Sequence, residues 1–250
     1  MSRYFLELSY KGTRYSGFQV QHNAETVQAE MEKALAVYFR QNINLTGSSR
    51  TDTGVHALQN YFHFDFDGQV PDKFIYNINA ILPSDIVVKN IVAVAADAHC
   101  RFDASSREYV YHLYGFKDPF MDDRAWFYPY PLNLNMLEMA AATIKEYEDF
   151  TSFSKRNTQV KTFRCKIQLS EWRQVERGWE YRVRANRFLR GMVRGLVGTM
   201  LQVGREKISI REFRDIIESK NCENADFTTP AHGLFLVRVS FADGYFENKK

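Results

Sequence analysis

Two successive stretches of the chain run through the same order of periodicities, and this recurrence restricts the available folds more than any other feature. In the first stretch, Tyr4–Tyr10 alternates with period two. Val27, Met31, Ala34, Leu35 and Tyr38 then follow helical spacing behind Thr26, whose hydroxyl suits an N-cap. A short strand is expected near Ile43–Thr46, followed by a loop holding Gly47 and Gly54. Leu58, Phe62, Phe64 and Phe66 are expected to line one side of a long strand. Pro71 is placed to open a helix carrying Phe74, Ile75, Ile78 and Leu82, and Ile86–Val94 reads as a fourth strand. The order is βαββαβ.

The second stretch repeats it. Arg107–Phe116 alternates as a strand with Tyr109, Tyr111 and Leu113 on one side. Asn135 and Glu138 are spaced as a capping box for a helix bearing Leu137, Ala140, Ala141 and Ile144. Strands near Phe163–Trp172 and Trp179–Asn186 are joined by a turn at Gly178. Leu189, Met192, Val193, Leu196, Val197 and Met200 form the buried face of an apolar helix. Ser209 and Glu212 cap an additional helix, and Gly233–Phe241 supplies the last strand. No sequence repeat accompanies the repeated order. The expected fold is α+β, with two tandem ferredoxin-like βαββαβ units at residues 1–104 and 105–250. Their antiparallel or mixed sheets would flank a central active-site cleft.

Composition narrows the classes of function. No run approaches the roughly 18 apolar residues a membrane span needs, and MSRYFLELSY lacks the pattern of a secretory leader. Cys100, Cys165 and Cys222 are odd in number and far apart, which fits neither a disulfide framework nor a zinc site and points to the cytoplasm. The histidines show no metal-binding spacing, so no metal is expected. The net charge of +3 conceals an asymmetry: Lys155–Arg214 holds 16 Lys and Arg against 5 Asp and Glu. Aromatics such as Phe163, Trp172, Trp179, Tyr181 and Phe188 lie among these basic residues. A basic block of this composition suits a nucleic-acid partner, although a solvated basic face has the same appearance.

The densest unusual segment is Gly47–Leu58, GSSRTDTGVHAL. Arg50 and Asp52 lie two residues apart, so in an extended stretch they point the same way, and Gly54 permits a sharp turn beyond them. An Asp in such a loop often serves only an Asx-turn, and His56 often only a turn hydrogen bond. Likewise Tyr109 could be a core tyrosine and Arg194 a snorkelling arginine, although Arg187, Arg190 and Arg194 recur at helical spacing.

RTDTGVHA, Arg50–Ala57, resembles the catalytic motif of the tRNA pseudouridine synthase A family. The resemblance continues in YSGFQVQ at 15–21, NAILP at 79–83, HCRFDASSREYVY at 99–111, FLRGMVRGLVGTMLQVG at 188–204 and GLFL at 233–236. It covers nearly the whole chain in order. Departures are Phe18 where a Trp is usual, Ser49 and Thr53 around the motif, and Gly191 and Gly195 in place of His and Asn.

The resemblance implies a cofactor-free enzyme that isomerises uridine to pseudouridine at positions 38, 39 and 40 of the tRNA anticodon stem-loop, working as a homodimer. It implies Asp52 as the nucleophile, Arg194 as its ion-pair partner, Tyr109 stacked on the target base and Arg50 beside the flipped nucleotide. Arg187 and Arg190 are expected to meet phosphates. An ionised carboxylate suits this chemistry, whether it adds to C6 of uracil, attacks C1′ or takes a proton from C2′. The residues themselves leave open a non-catalytic RNA-binding protein with two sheets, and an acid-dependent nucleoside hydrolase. No second carboxylate in the motif serves the latter.

Overall fold

The computed structural model describes residues 1–156 and 160–247, which hold nine strands and five α-helices in an α+β arrangement with a mixed, open sheet. The chain forms two compact units. One contains Met1–Ser105 together with the residues from Leu236 on, and the other contains Ser106–Phe235. The expected boundary at 104/105 placed everything after it in the second half, whereas most of the last strand and the residues beyond it pack with the first unit.

In the first unit β1 (Ser2–Tyr10) lies between β4 (Ile86–Val94) and β3 (His56–Phe66), antiparallel to both, and β2 (Thr46–Gly47) pairs with β3. The strand order is therefore β4–β1–β3–β2. Thr26 caps α1 (Val27–Phe39) through a bond from the Ala29 amide, as its position requires. Tyr4 and Leu6 stand opposite Phe64 and Phe62 on the face that receives the helices, where Phe39 packs on both Phe66 and Phe74.

The opposite face is also covered. Phe5 and Tyr61 meet Phe241 and Phe246, so β3 is buried on both sides where alternation predicted one. Leu58 departs from expectation: pairing shifts between Leu8 and Tyr10, which sets Tyr10 opposite Ala57 and leaves Leu58 half exposed. The expected strand at 43–46 shrinks to β2, because Ile43 and Leu45 bury their side chains without a ladder partner. Helix α2 (Phe74–Ile81) begins three residues after Pro71, whose carbonyl closes a turn onto the Phe74 amide.

In the second unit β8 (Gly178–Ala185) lies between β5 (Ser106–Tyr114) and β7 (Ile167–Val175), antiparallel to both. A short β6 (Trp126–Phe127) adds a parallel pairing to β5 that the sequence did not announce. The β7–β8 turn is made by Glu176 and Arg177. Gly178 is the first residue of β8, where an added Cβ would stand 2.0 Å from the Leu113 carbonyl oxygen. Residues near Phe163 pair with 148–150, which delays the start of β7 to Ile167.

Helix α3 (Leu134–Thr143) is capped by Asn133, not by the expected Asn135–Glu138 box: the Asn133 side chain accepts from the Met136 amide. Helix α4 (Met192–Gly204) is buried nearly all round, more than one apolar face implies. Helix α5 (Ile210–Glu218) carries the expected Ser209–Glu212 capping box. Strand β9 (Leu234–Ser240) begins in the second unit and runs into the first, where the Val239 amide donates to Gln59 Oε1.

Candidate active site

The segment between β2 and β3 is held by its neighbours from several directions. Ser48 donates its amide to the Tyr61 carbonyl, and the Asn60 side chain brackets Ser49, accepting from its amide and donating to its carbonyl. Thr51 Oγ1 lies 2.7 Å from the Tyr10 hydroxyl, while the Thr51 carbonyl accepts from the Phe18 amide. The Gly12 amide donates to His56 Nδ1 at 3.0 Å. Ser49, Thr51, Val55 and His56 are thus buried, and the intervening side chains turn the other way: Arg50 is exposed and Asp52 half-buried. Beyond Asp52 its carbonyl accepts from the Val55 amide, and Gly54 takes a φ of 78°, a turn that few other residues adopt.

Within its own unit, among the described residues, the Asp52 carboxylate accepts no hydrogen bond and has no ion-pair partner. This argues against the Asx-turn role. A carboxylate used for an Asx-turn bonds a nearby backbone amide. His56 does have the structural role, as the acceptor that ties Gly12 to the start of β3.

In the second unit Tyr109 lies on β5, buried and edge-on to Phe188 with ring centroids 5.0 Å apart. Arg194 projects from the first turn of α4, half-buried, and its Nε donates to the Thr229 carbonyl. Arg187 and Arg190 precede α4, so the helical spacing read across the three arginines holds for none of the pairs. Arg190 is exposed and Arg187 half-buried; neither has a carboxylate partner in its unit among the described residues. Much of the remaining basic block is neutralised: Arg156, Arg164, Arg173, Arg177, Arg182 and Arg214 each meet an Asp or Glu. Gly195 packs against Phe227, where an added Cβ would come within 2.8 Å.

Sequence reasoning assigned no role to the turn from Ala98 to Ala104, although the resemblance runs through it. The His99 amide donates to Asp103 Oδ2, which also accepts from the Tyr245 hydroxyl. Cys100 donates its thiol to the Thr46 carbonyl at 3.2 Å and its amide to His63 Nδ1. The turn is thereby tied to β2, β3 and the chain after β9, and it borders a cleft of about 290 Å³ whose lining includes Arg50. The available signal was Arg101 beside Phe102, a large apolar residue in a polar stretch.

Burial, then the nearby His99 and Arg3, hold the His63 imidazole neutral and bring its pKa down to about 4. The unfolded chain takes a proton near pH 6.5, so this ring's contribution is complete above that value and is lost as pH falls toward 4. A loss on the order of 2 kcal/mol is expected across that window. Urea midpoints at pH 7 and pH 4.5 should show it in the wild type and show less of it in His63→Gln. Equal pH dependence in the two proteins would contradict the assignment.

No helix among the described residues is long and apolar enough to cross a membrane, and no group of three or more His, Cys, Asp or Glu is placed to hold a metal. A family model described as tRNA pseudouridine synthase matches residues 8–103 and 146–242. The chain is 44% identical over 250 residues to a tRNA pseudouridine synthase A of Bacteroides fragilis, covering 99% of each chain. It is 43% identical to that of Parabacteroides distasonis, covering 98% of each, and 38% identical to that of a Staphylococcus aureus strain, covering 95% of this chain and 91% of the relative. Similarity of this extent, running through the Asp52 loop and both units, makes the chain a member of the tRNA pseudouridine synthase family.

Proposed function

We propose that this enzyme isomerises uridine to pseudouridine at positions 38, 39 and 40 of the tRNA anticodon stem-loop, with Asp52 as the nucleophile and no cofactor. The observation that carries the reading is the Asp52 carboxylate itself: half-buried, unpartnered within its unit among the described residues, and fixed on a loop held at Ser48, Ser49, Thr51 and His56. The reaction breaks the C1′–N1 bond, joins C1′ to C5 after the base has turned, and moves the C5 proton in net terms to N1. Nothing is oxidised and no atom is lost overall, so the reaction calls for a carboxylate, a means of holding the base and a path for that proton.

Arg194 serves in this reading as the ion-pair partner that keeps Asp52 charged once RNA has displaced water. Tyr109 offers a ring to the extruded base, and Arg50 holds the flipped nucleotide. The β4–β1–β3–β2 order of the first unit, and the matching β5–β8–β7 order in the second, support two ferredoxin-like units as the frame. The enzyme acts as a homodimer in the cytoplasm, where its substrate resides. Incubation with unmodified tRNA, followed by carbodiimide treatment and primer extension, tests the reaction. Stops are expected at the three anticodon-arm positions. Unmodified RNA would leave an RNA-binding protein, and abasic sites a hydrolase.

Arg187 and Arg190, which meet no carboxylate in their unit among the described residues, are assigned to phosphates. Alanine at either is expected to weaken all tRNAs alike and to reduce the slope of log affinity against log salt by about 0.7 to 0.9 per lost contact. Unchanged slopes in both variants would place the RNA elsewhere.

A further inference from the structure

We propose that the cleft beside the Asp52 loop seats one unstacked nucleotide of the tRNA strand, a direct neighbour of the target uridine. Its base lies on Phe102 and its phosphate meets Arg50 and Arg101. The proposal rests on the reading of Asp52 as the nucleophile and adds a second nucleotide site to it.

The cleft is lined by Phe18, Leu45, Gln19, Gln28, Arg50, Arg101 and the ring of Phe102, among others, and no carboxylate is among its lining residues. At about 290 Å³ it is close to the lower end of small-ligand sites, which suits a single nucleotide better than a duplex. The two arginines make its rim attractive to an anion, and Gln19 offers a polar edge to a base, whereas the Gln28 amide is engaged with Glu32 and the Leu45 carbonyl.

Phe102 is the decisive feature. Phe102 is 76% exposed, yet the turn carrying it is tied at several points. His99 Nδ1 accepts from the amides of Arg101 and Phe102, and the His99 ring lies 4.2 Å from that of Phe102. Cys100 and Asp103 tie the same turn to Thr46, His63 and Tyr245. A loop is usually pinned this heavily to bury its apolar residue, and here the effect is to hold the ring in water. A preorganised aromatic face beside paired cations is what a splayed RNA base requires, and fixing it beforehand lowers the ordering cost of binding. Arg50, two residues from Asp52, lies on the cleft's rim, so a strand with its uridine at Asp52 has its next nucleotide within reach.

The test is a double-mutant cycle between protein and RNA. Dissociation constants are measured for wild type, Phe102→Ala and Phe102→Leu. The ligands are an anticodon stem-loop RNA, intact or with an abasic residue immediately 5′ or 3′ of the target uridine. One of the abasic RNAs is expected to bind wild type about tenfold more weakly. Both variants should show the intact RNA weakened by a similar factor and little further loss with that abasic RNA. Phe102 is exposed, so circular dichroism should show the variants folded.

An abasic penalty equal in all three proteins at both positions would overturn the proposal. So would full rescue by leucine, which keeps apolar bulk without the aromatic face. Pseudouridine formation by wild type on the intact RNA is measured in the same samples. Its absence would defeat the functional reading, whereas turnover without coupling would defeat only the nucleotide site.

Discussion

Asp52→Asn is expected to lower pseudouridine formation by at least about a thousandfold, with tRNA affinity changing by less than about tenfold, roughly 1.4 kcal/mol. Asparagine keeps the size and branching of the side chain and removes its charge and nucleophilic oxygen. Among the described residues the Asp52 carboxylate accepts no hydrogen bond within its unit, so little folding energy should go with it, within about 0.5 kcal/mol. The turn that positions it depends on the Asp52 carbonyl, which the substitution leaves in place. Single-turnover assays on purified variant, free of wild-type enzyme, separate the effects on chemistry and binding. Normal turnover would end the case for Asp52.

The largest effect away from the chemistry is expected at Gly12. An added Cβ there would stand 2.0 Å from the Val55 carbonyl oxygen and 3.1 Å from the Val55 nitrogen, both backbone atoms that no rotamer change can move. The Gly12 amide also donates to His56. Gly12→Ala must therefore push apart the start of the chain and the segment carrying Asp52. A stability loss of about 3 kcal/mol is expected, at the upper end for overpacking, or roughly 10 °C in Tm for a chain of this size. Displacing the loop by about 1 Å would cost catalysis a further hundredfold. Gly115→Ala is the control, because its Cβ would come no nearer than 3.5 Å to Trp179. A Gly12→Ala protein as stable as that control would show that the contact relaxes freely.

Features governed by local chemistry were legible in the sequence. Thr26 and the Ser209–Glu212 pair cap the helices they precede, and β4 spans the residues expected of the fourth strand. Errors arose where a distant partner decides. Leu58 loses its place in the packed face through a pairing shift set by β1. Asn133 outcompetes Asn135 as a cap, its amide group also donating to Glu206, 73 residues away. Gly178 reads as a turn residue but is a glycine because β5 passes too close for any side chain.

In the candidate site, the two-residue spacing of Arg50 and Asp52 was readable because the segment is extended. The spacing of Arg187, Arg190 and Arg194 misled because α4 begins only at Met192. The anchoring of the turn at Phe102 was hidden, since the residues that fix it lie at 46, 63 and 245.

The chain leaves its first unit at Ser105 and re-enters it only at Leu236, and the Ser105 amide then bonds to the Ser240 carbonyl. Phe241, Tyr245 and Phe246 complete the aromatic cover over Phe5 and Tyr61. On the ribosome, therefore, the segment bearing Asp52 is made early but lacks its cover until the intervening stretch has been translated, a wait on the order of ten seconds. During that interval one face of β1 and β3 is open to nascent neighbours. A message truncated shortly before codon 236 would release a chain that holds every proposed catalytic side chain and none of the cover. Such a product is a substrate for chaperones and proteases, so this enzyme's abundance should depend on complete translation more steeply than that of a protein whose first half closes by itself.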